Sequence, residues 1–97
     1  MRLDVDNRLY VLSNGKVIRI CNMIEEPDCD YGYDYFDGET KRLIDGGVFN
    51  AEGAEDADDV LAAALRICDV DPDSVTWELV SAEADYDLLE EMGFTGF

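Results

Sequence analysis

The segment RLYVLSNGKVIRICNMI, residues 8–24, limits the possible folds more than any other part of the chain. Asn14-Gly15 separates two runs rich in β-branched and aromatic residues, which is the chemistry of a tight hairpin turn. The reading places strands at about 9–12 and 16–23. Alternation along the second strand sets Val17, Arg19 and Cys21 on one face and Ile18, Ile20 and Asn22 on the other, a partly buried sheet.

Pro27 ends this hairpin, and a second is expected over 31–49, with Asp37-Gly38 at its turn and 41–44 returning. The Gly46-Gly47 pair then bends or bulges the chain. After a small polar loop, DADDVLAAALRIC carries Val60, Leu61, Ala64, Leu65 and Cys68 at helical spacing, predicting a helix over 57–68. Asp56 stands where it would cap that helix, and Asp58 and Asp59 fall in the first turn, where the dipole favours anions. DVDPDS breaks the helix, VTWELVS reads as a strand over 75–81, and a last helix is expected over 82–92 with Gly93 as its stop. The order β-β-β-β-α-β-α predicts a single α+β domain over 1–97. Its small antiparallel sheet has two hairpins plus one further strand, with two helices packed on one side.

Charge narrows the function. The 97 residues include 24 acids against 7 bases, a formal net charge of −17, while hydrophobic content is an ordinary 47 %. A globular core is therefore affordable, but the surface repels nucleic-acid phosphates and anionic lipid alike, so neither is expected as a direct partner. Six of the seven bases precede residue 43, and none follows Arg66. An extended negative face, steering cationic partners inward, explains this better than a mixed solubilising surface.

Chemistry of other kinds finds little support. The chain has no histidine, and Cys21, Cys29 and Cys68 show no CxxC spacing, so neither a zinc site nor a disulfide framework is expected. No phosphate-cradling glycine loop occurs and no serine has a base partner in view, so the reading is a non-enzymatic protein without a cofactor. The absence of a leader-like or membrane-length apolar run points to the cytoplasm. Two segments carry part of a calcium-loop spacing. Asp69, Asp71 and Asp73 begin one but meet Ser74 and Val80 at its sixth and twelfth positions; Asp28, Asp30 and Glu39 outline another, with Tyr33 at its sixth. Acidic surface turns are the simpler account of both, and no metal is expected.

The stretch EEPDCDYGYDYFDGE, residues 25–39, holds seven carboxylates, three tyrosines, one phenylalanine and no cation. On an extended strand Tyr31, Tyr33 and Tyr35 share one face, and Asp30, Asp34 and Phe36 the other. Alternate residues then lie about 6.5–7 Å apart, comparable with neighbouring phosphates along a nucleic-acid strand. Tyr33 or Tyr35, flanked by Asp28, Asp30, Asp34, Asp37 and Glu39, is the candidate anchor. In the last helix Glu83, Asp87 and Glu91 stand at i, i+4 and i+8, with Glu90 beside them. Like charges at that spacing cost about 0.2–0.5 kcal/mol per pair, and a surface selected for stability alone would not accumulate them. Trp77, Phe94 and Phe97 are assigned to packing.

By its size, its charge of −17, the Tyr31–Asp37 segment and the Glu83/Asp87/Glu91 stripe, the chain resembles small acidic anti-defence proteins of phages and mobile elements, the nucleic-acid-mimic type of anti-restriction and anti-CRISPR protein. The resemblance implies a DNA-mimic inhibitor that occupies the basic cleft of a nucleic-acid-binding enzyme. Two other readings use the same charge. With 15 Asp, 9 Glu, 5 Arg and 2 Lys, the composition also fits a soluble domain of a high-salt cytoplasm. It fits equally an acidic subunit or regulatory module, calcium-binding or otherwise. On the mimic reading, lysines at positions 34 and 37 slow association with the partner and flatten its salt dependence; unchanged association kinetics would remove that segment from the interface.

Overall fold

The chain is described from a computed structural model over residues 3–25 and 27–97. Glu26, a member of the acidic stretch, lies outside the described residues. Five strands, β1 Arg8–Leu12, β2 Lys16–Asn22, β3 Tyr31–Asp37, β4 Leu43–Phe49 and β5 Trp77–Ser81, form one antiparallel sheet in the order β4-β3-β2-β1-β5. The first helix, α1, spans Ala57–Ile67, and a shorter helix, α2, spans Tyr86–Glu91. The fold class is α+β.

The first turn forms as its residue types require, with one change. Gly15 N–H donates to Leu12 O at 3.1 Å and Gly15 adopts φ +85°. The loop is therefore Ser13-Asn14-Gly15, closed by a left-handed glycine rather than by a two-residue turn. The second turn packs directly against it. Gly38 N–H donates to Gly15 O at 3.0 Å, and a Cβ at Gly38 would collide with that same oxygen. Asp37-Gly38 does begin the second turn, but Lys41 takes its left-handed position at φ +61°. The bulge in β4 falls at Ile44, because Tyr35 pairs with Asp45 while Phe36 pairs with Leu43. Gly46 and Gly47 instead clear space on opposite faces, beside the Asp34 carboxylate and under the Tyr33 ring.

From the β4 edge, α1 carries the chain across one face of the sheet to β5 at the far edge. Asp56 caps α1 by accepting from Asp59 N, and Asp58 and Asp59 occupy its first turn. Val60, Leu61, Ala64 and Leu65 are fully buried against Tyr10, Leu12, Ile18, Ile20, Tyr31, Tyr33, Tyr35 and Phe49. Burial of each large side chain here contributes about 1.5–3 kcal/mol.

After β5 the chain returns over the opposite face. Leu89, Ala84 and Phe94 pack on Leu9, Val17 and Phe36. Thr95 then bonds to the start of the β4 edge, donating to Lys41 O and accepting from Leu43 N at 2.9 and 2.8 Å. Lys41 Nζ closes α2 by donating to Met92 O at 2.6 Å, a cation at the negative end of the helix. The expectation of two helices on one side is corrected here: α1 and α2 cover opposite faces. The sandwiching explains why β2, the central strand, is buried at every residue from Val17 to Cys21, where alternation alone had indicated a half-buried strand.

A charged pair sits inside the α2 layer. Arg19 and Asp34, 4 % and 8 % exposed, lie opposite each other on β2 and β3, with Arg19 Nη1 and Asp34 Oδ2 2.8 Å apart. Arg19 Nε donates to Ala84 O at 2.5 Å and Nη2 to Asn7 Oδ1 at 2.7 Å, and its guanidinium lies 4.5 Å from the Tyr86 ring centroid. Replacing Asp34 by Ala strands the guanidinium and is expected to cost about 3–5 kcal/mol, whereas an Arg19→Met, Asp34→Leu pair costs less than Asp34→Ala alone. Urea unfolding of the three proteins checks both statements.

Candidate partner-binding surface

The eleven residues singled out from the sequence do not form one patch. Tyr33 and Tyr35 are each 6 % exposed beneath α1. The α1 stripe needs an apolar surface of matching width, and the tyrosine rings supply it, so neither is a surface anchor. Asp34 is committed to Arg19 inside the opposite layer. Lysine at position 34 would face Arg19, so the paired charge reversal at 34 and 37 would disrupt the fold before it reported on binding.

The remaining candidates, exposed apart from half-buried Asp37, divide between the ends of β3 and the α2 face. Asp28 and Asp30 stand before β3, joined to the segment after β4 by Asn50, which donates to Asp28 O at 2.7 Å and accepts from Asp30 N at 2.8 Å. With Glu52 they border an open recess of about 550 Å³. Glu52 belongs to this acidic group although it lies outside the 25–39 stretch, because strand pairing of β3 with β4 brings the two loops together. Asp37 and Glu39 lie at the far end of the strand, about 20 Å away at 3.3 Å per residue. The calcium-loop spacing of Asp28, Asp30 and Glu39 is thereby pulled apart, and among the described residues no group of three acidic or cysteine side chains converges on a metal position.

The helical stripe is also shorter than expected. Asp85 caps α2 by accepting from Leu88 N, so the helix begins at Tyr86 and Glu83 precedes it. Asp87, Glu90 and Glu91 remain exposed on α2, on the side away from buried Leu89. Glu83 is exposed but does not continue their row.

The two acidic residue types do different work. Eight aspartates accept backbone N–H groups: Asp4, Asp6, Asp37, Asp45, Asp56, Asp59, Asp71 and Asp85. Most of these short side chains satisfy the unpaired donors of turns and helix starts, while Asp6 and Asp45 accept from strand residues Asn22 and Gly46. The eight described glutamates, in contrast, are all exposed. Only two ion pairs occur among the described residues, Arg19–Asp34 and Lys16–Asp37. Most of the negative charge is thus neither folded into turns nor neutralised internally.

On the α2 face a second feature appears that the sequence reading missed. Tyr86 and Phe97 stack with ring centroids 5.1 Å apart while remaining 49 % and 40 % exposed. They wall a cleft of about 370 Å³ floored by Gly32, Gly46 and Cys21, with Asp34 at its base. The packing expected of Phe97 is partly met: it edges Phe36 at 6.1 Å, so its inner edge packs and its remaining surface is open. No sequence signal marks this cleft, because its lining comes from β2, β3, β4, α2 and the last residues.

Burial raises the Cys21 thiol above its ordinary value and pushes Cys68 up to about 12, with Asp45 and Asp69 adding to the latter. Both are protonated at neutral pH and poor nucleophiles. No helix among the described residues is long and apolar enough to cross a membrane. Comparison with protein-family models, curated protein sequences and solved structures found no match to this chain.

Two groups give the fold opposite pH limits. Burial, then the hydrogen bond to Asp45, pushes the Tyr33 hydroxyl up to about 12. The folded state favours its protonated form, so this contribution is complete below about pH 10 and lost as pH rises toward 12. Asp37 is lowered to about 2, first by the Thr40 N–H and then by Lys16. Its contribution holds above about pH 4 and is lost as pH falls toward 2. Absorbance titration of tyrosine and NMR titration of the Asp37 carboxyl check the two values.

Proposed function

We propose that this chain is a non-enzymatic binding protein whose acidic surface engages the basic cleft of a nucleic-acid-handling protein and inhibits it by taking the place of the nucleic acid. The observation that carries this reading is the set of exposed carboxylates with no internal partner. The side-chain carboxylates of the eight described glutamates, and of Asp28, Asp30 and Asp87, accept no hydrogen bond and enter no ion pair among the described residues. Self-repulsion among them opposes folding, and no capping role offsets it.

A cleft lined with lysine and arginine attracts such a surface over about 8 Å at physiological salt and accelerates encounter by about 10–10³-fold. Charges arranged on rigid strand ends and on a helix held to the sheet would keep a fixed spacing, as phosphates do on a duplex. The acidic groups lie on both ends of the sheet and on one face, so the surface suits a partner that wraps the molecule rather than one that touches a single point.

The test is retrieval from host lysate at about 100 and about 500 mM salt, with bound proteins identified by mass spectrometry. The expected result is a nucleic-acid enzyme retained at the lower salt, released by added DNA or RNA, and lost on charge reversal at Asp87, Glu90 and Glu91 or at Asp28 and Asp30. Retention that nucleic acid does not displace would overturn mimicry. No retention, with structure lost at low salt, would assign the acidity to a high-salt environment instead.

A further inference from the structure

The cleft on the α2 face combines an anionic base with apolar walls. Asp34 is 8 % exposed, and its Oδ2 is engaged by Arg19 at 2.8 Å and by Tyr86 Oη at 3.5 Å. Its Oδ1 accepts no hydrogen bond from the described residues. Every fully enclosed side-chain oxygen and nitrogen among those residues does have a partner, so Oδ1 is open, and the opening is the cleft. Gly46 keeps it so: a Cβ there would lie 3.5 Å from Oδ1 and 3.3 Å from Tyr33 O. Any larger side chain would cover the oxygen.

We propose that this cleft receives a lysine or arginine side chain of the basic partner, its aliphatic stem against Val48 and Phe97 and its charged head on Asp34 Oδ1. The proposal rests on the acidic-surface reading for the partner's character and adds the anchor that a diffuse negative surface lacks. Charge complementarity selects the occupant. A neutral apolar group would leave the carboxylate oxygen desolvated and unpaired, which costs more than the contact returns. A second copy of the chain would bring another −17 to the same face. A cation gains a charge-assisted hydrogen bond and an exposed aromatic wall, and basic side chains seated in such pockets are frequent interface anchors. Arg19 does not fill this role: it engages the other carboxylate oxygen, Oδ2, while its Nε and Nη2 donate to Ala84 O and Asn7 Oδ1.

The probe is acetyl-Gly-Arg-Gly-amide, with its citrulline analogue as the uncharged control, titrated into the isotopically labelled full chain and followed through amide NMR shifts. Saturable shifts at Gly32, Gly46, Gly47 and Phe97 are expected with the arginine peptide, at least about tenfold weaker with citrulline and in Gly46→Val. Position 46 is on an exposed edge strand with no positive φ, and Phe97→Ala serves as a second variant should valine disturb β4. Equal binding of the citrulline peptide, undiminished binding by the folded variants, or shifts confined to the acidic turns would overturn the proposal. A captured partner that binds Gly46→Val as well as wild type overturns the cleft and leaves the acidic-surface reading standing. Saturable arginine binding without any captured partner does the reverse.

Discussion

The buried Arg19–Asp34 pair is the interaction on which the α2 side of the molecule depends. A guanidinium in the sheet interior is stable only when its nitrogens are paired, and the partners come from four separate places. Asp34 is the neighbour across β3, Asn7 precedes β1, Ala84 O belongs to the segment leading into α2, and Tyr86 covers the ring of charge from that helix. Burial opposes the charge on Arg19, and the surrounding Cys21, Asp34 and Tyr86 more than offset it, so the guanidinium titrates above its ordinary value. A helix of six residues has little intrinsic stability. Here its entry is held to a fixed charge, and its end is held by Lys41.

That arrangement also decides where the surface is open. Because α2 is short, it covers Leu9, Val17 and Phe36 but stops before Cys21, Gly32 and Gly46. The uncovered portion of the sheet becomes the cleft, and the same Asp34 that locks Arg19 presents its second oxygen there. A structural ion pair and a candidate binding group are therefore one residue seen from two sides.

The distribution of acids follows side-chain length. Aspartate mostly reaches backbone N–H groups one to four residues away, Asp6 on Asn22 N being the exception, and is used at the Asp37 turn, at the α1 and α2 caps and at the short 3₁₀ turn Pro72–Ser74. Glutamate reaches past its own backbone into solvent, and the described glutamates accept no such bonds. Counting all 24 acids as one binding surface would overstate the available charge; the uncommitted glutamates and a few aspartates give the more accurate picture.

Much of the fold was legible because its causes are local. Asn14-Gly15, the 57–68 apolar stripe and Asp56 each act within a few residues, and the hairpin, α1 and its cap stand close to where the sequence indicated. The candidate site was legible only as charge. Alternation shows that Tyr33 and Tyr35 share a face, but not that α1 lies on that face; it pairs Arg19 with neither Asp34 nor Ala84, which are 15 and 65 residues away. By itself the sequence determined the strands, the first helix and the excess of acid. Only the tertiary structure decided which side of the sheet each helix covers, and hence which aromatics and carboxylates reach water. The physical reason is that burial of a side chain on a strand depends on what packs over it from a distant part of the chain, a contact that no local pattern encodes.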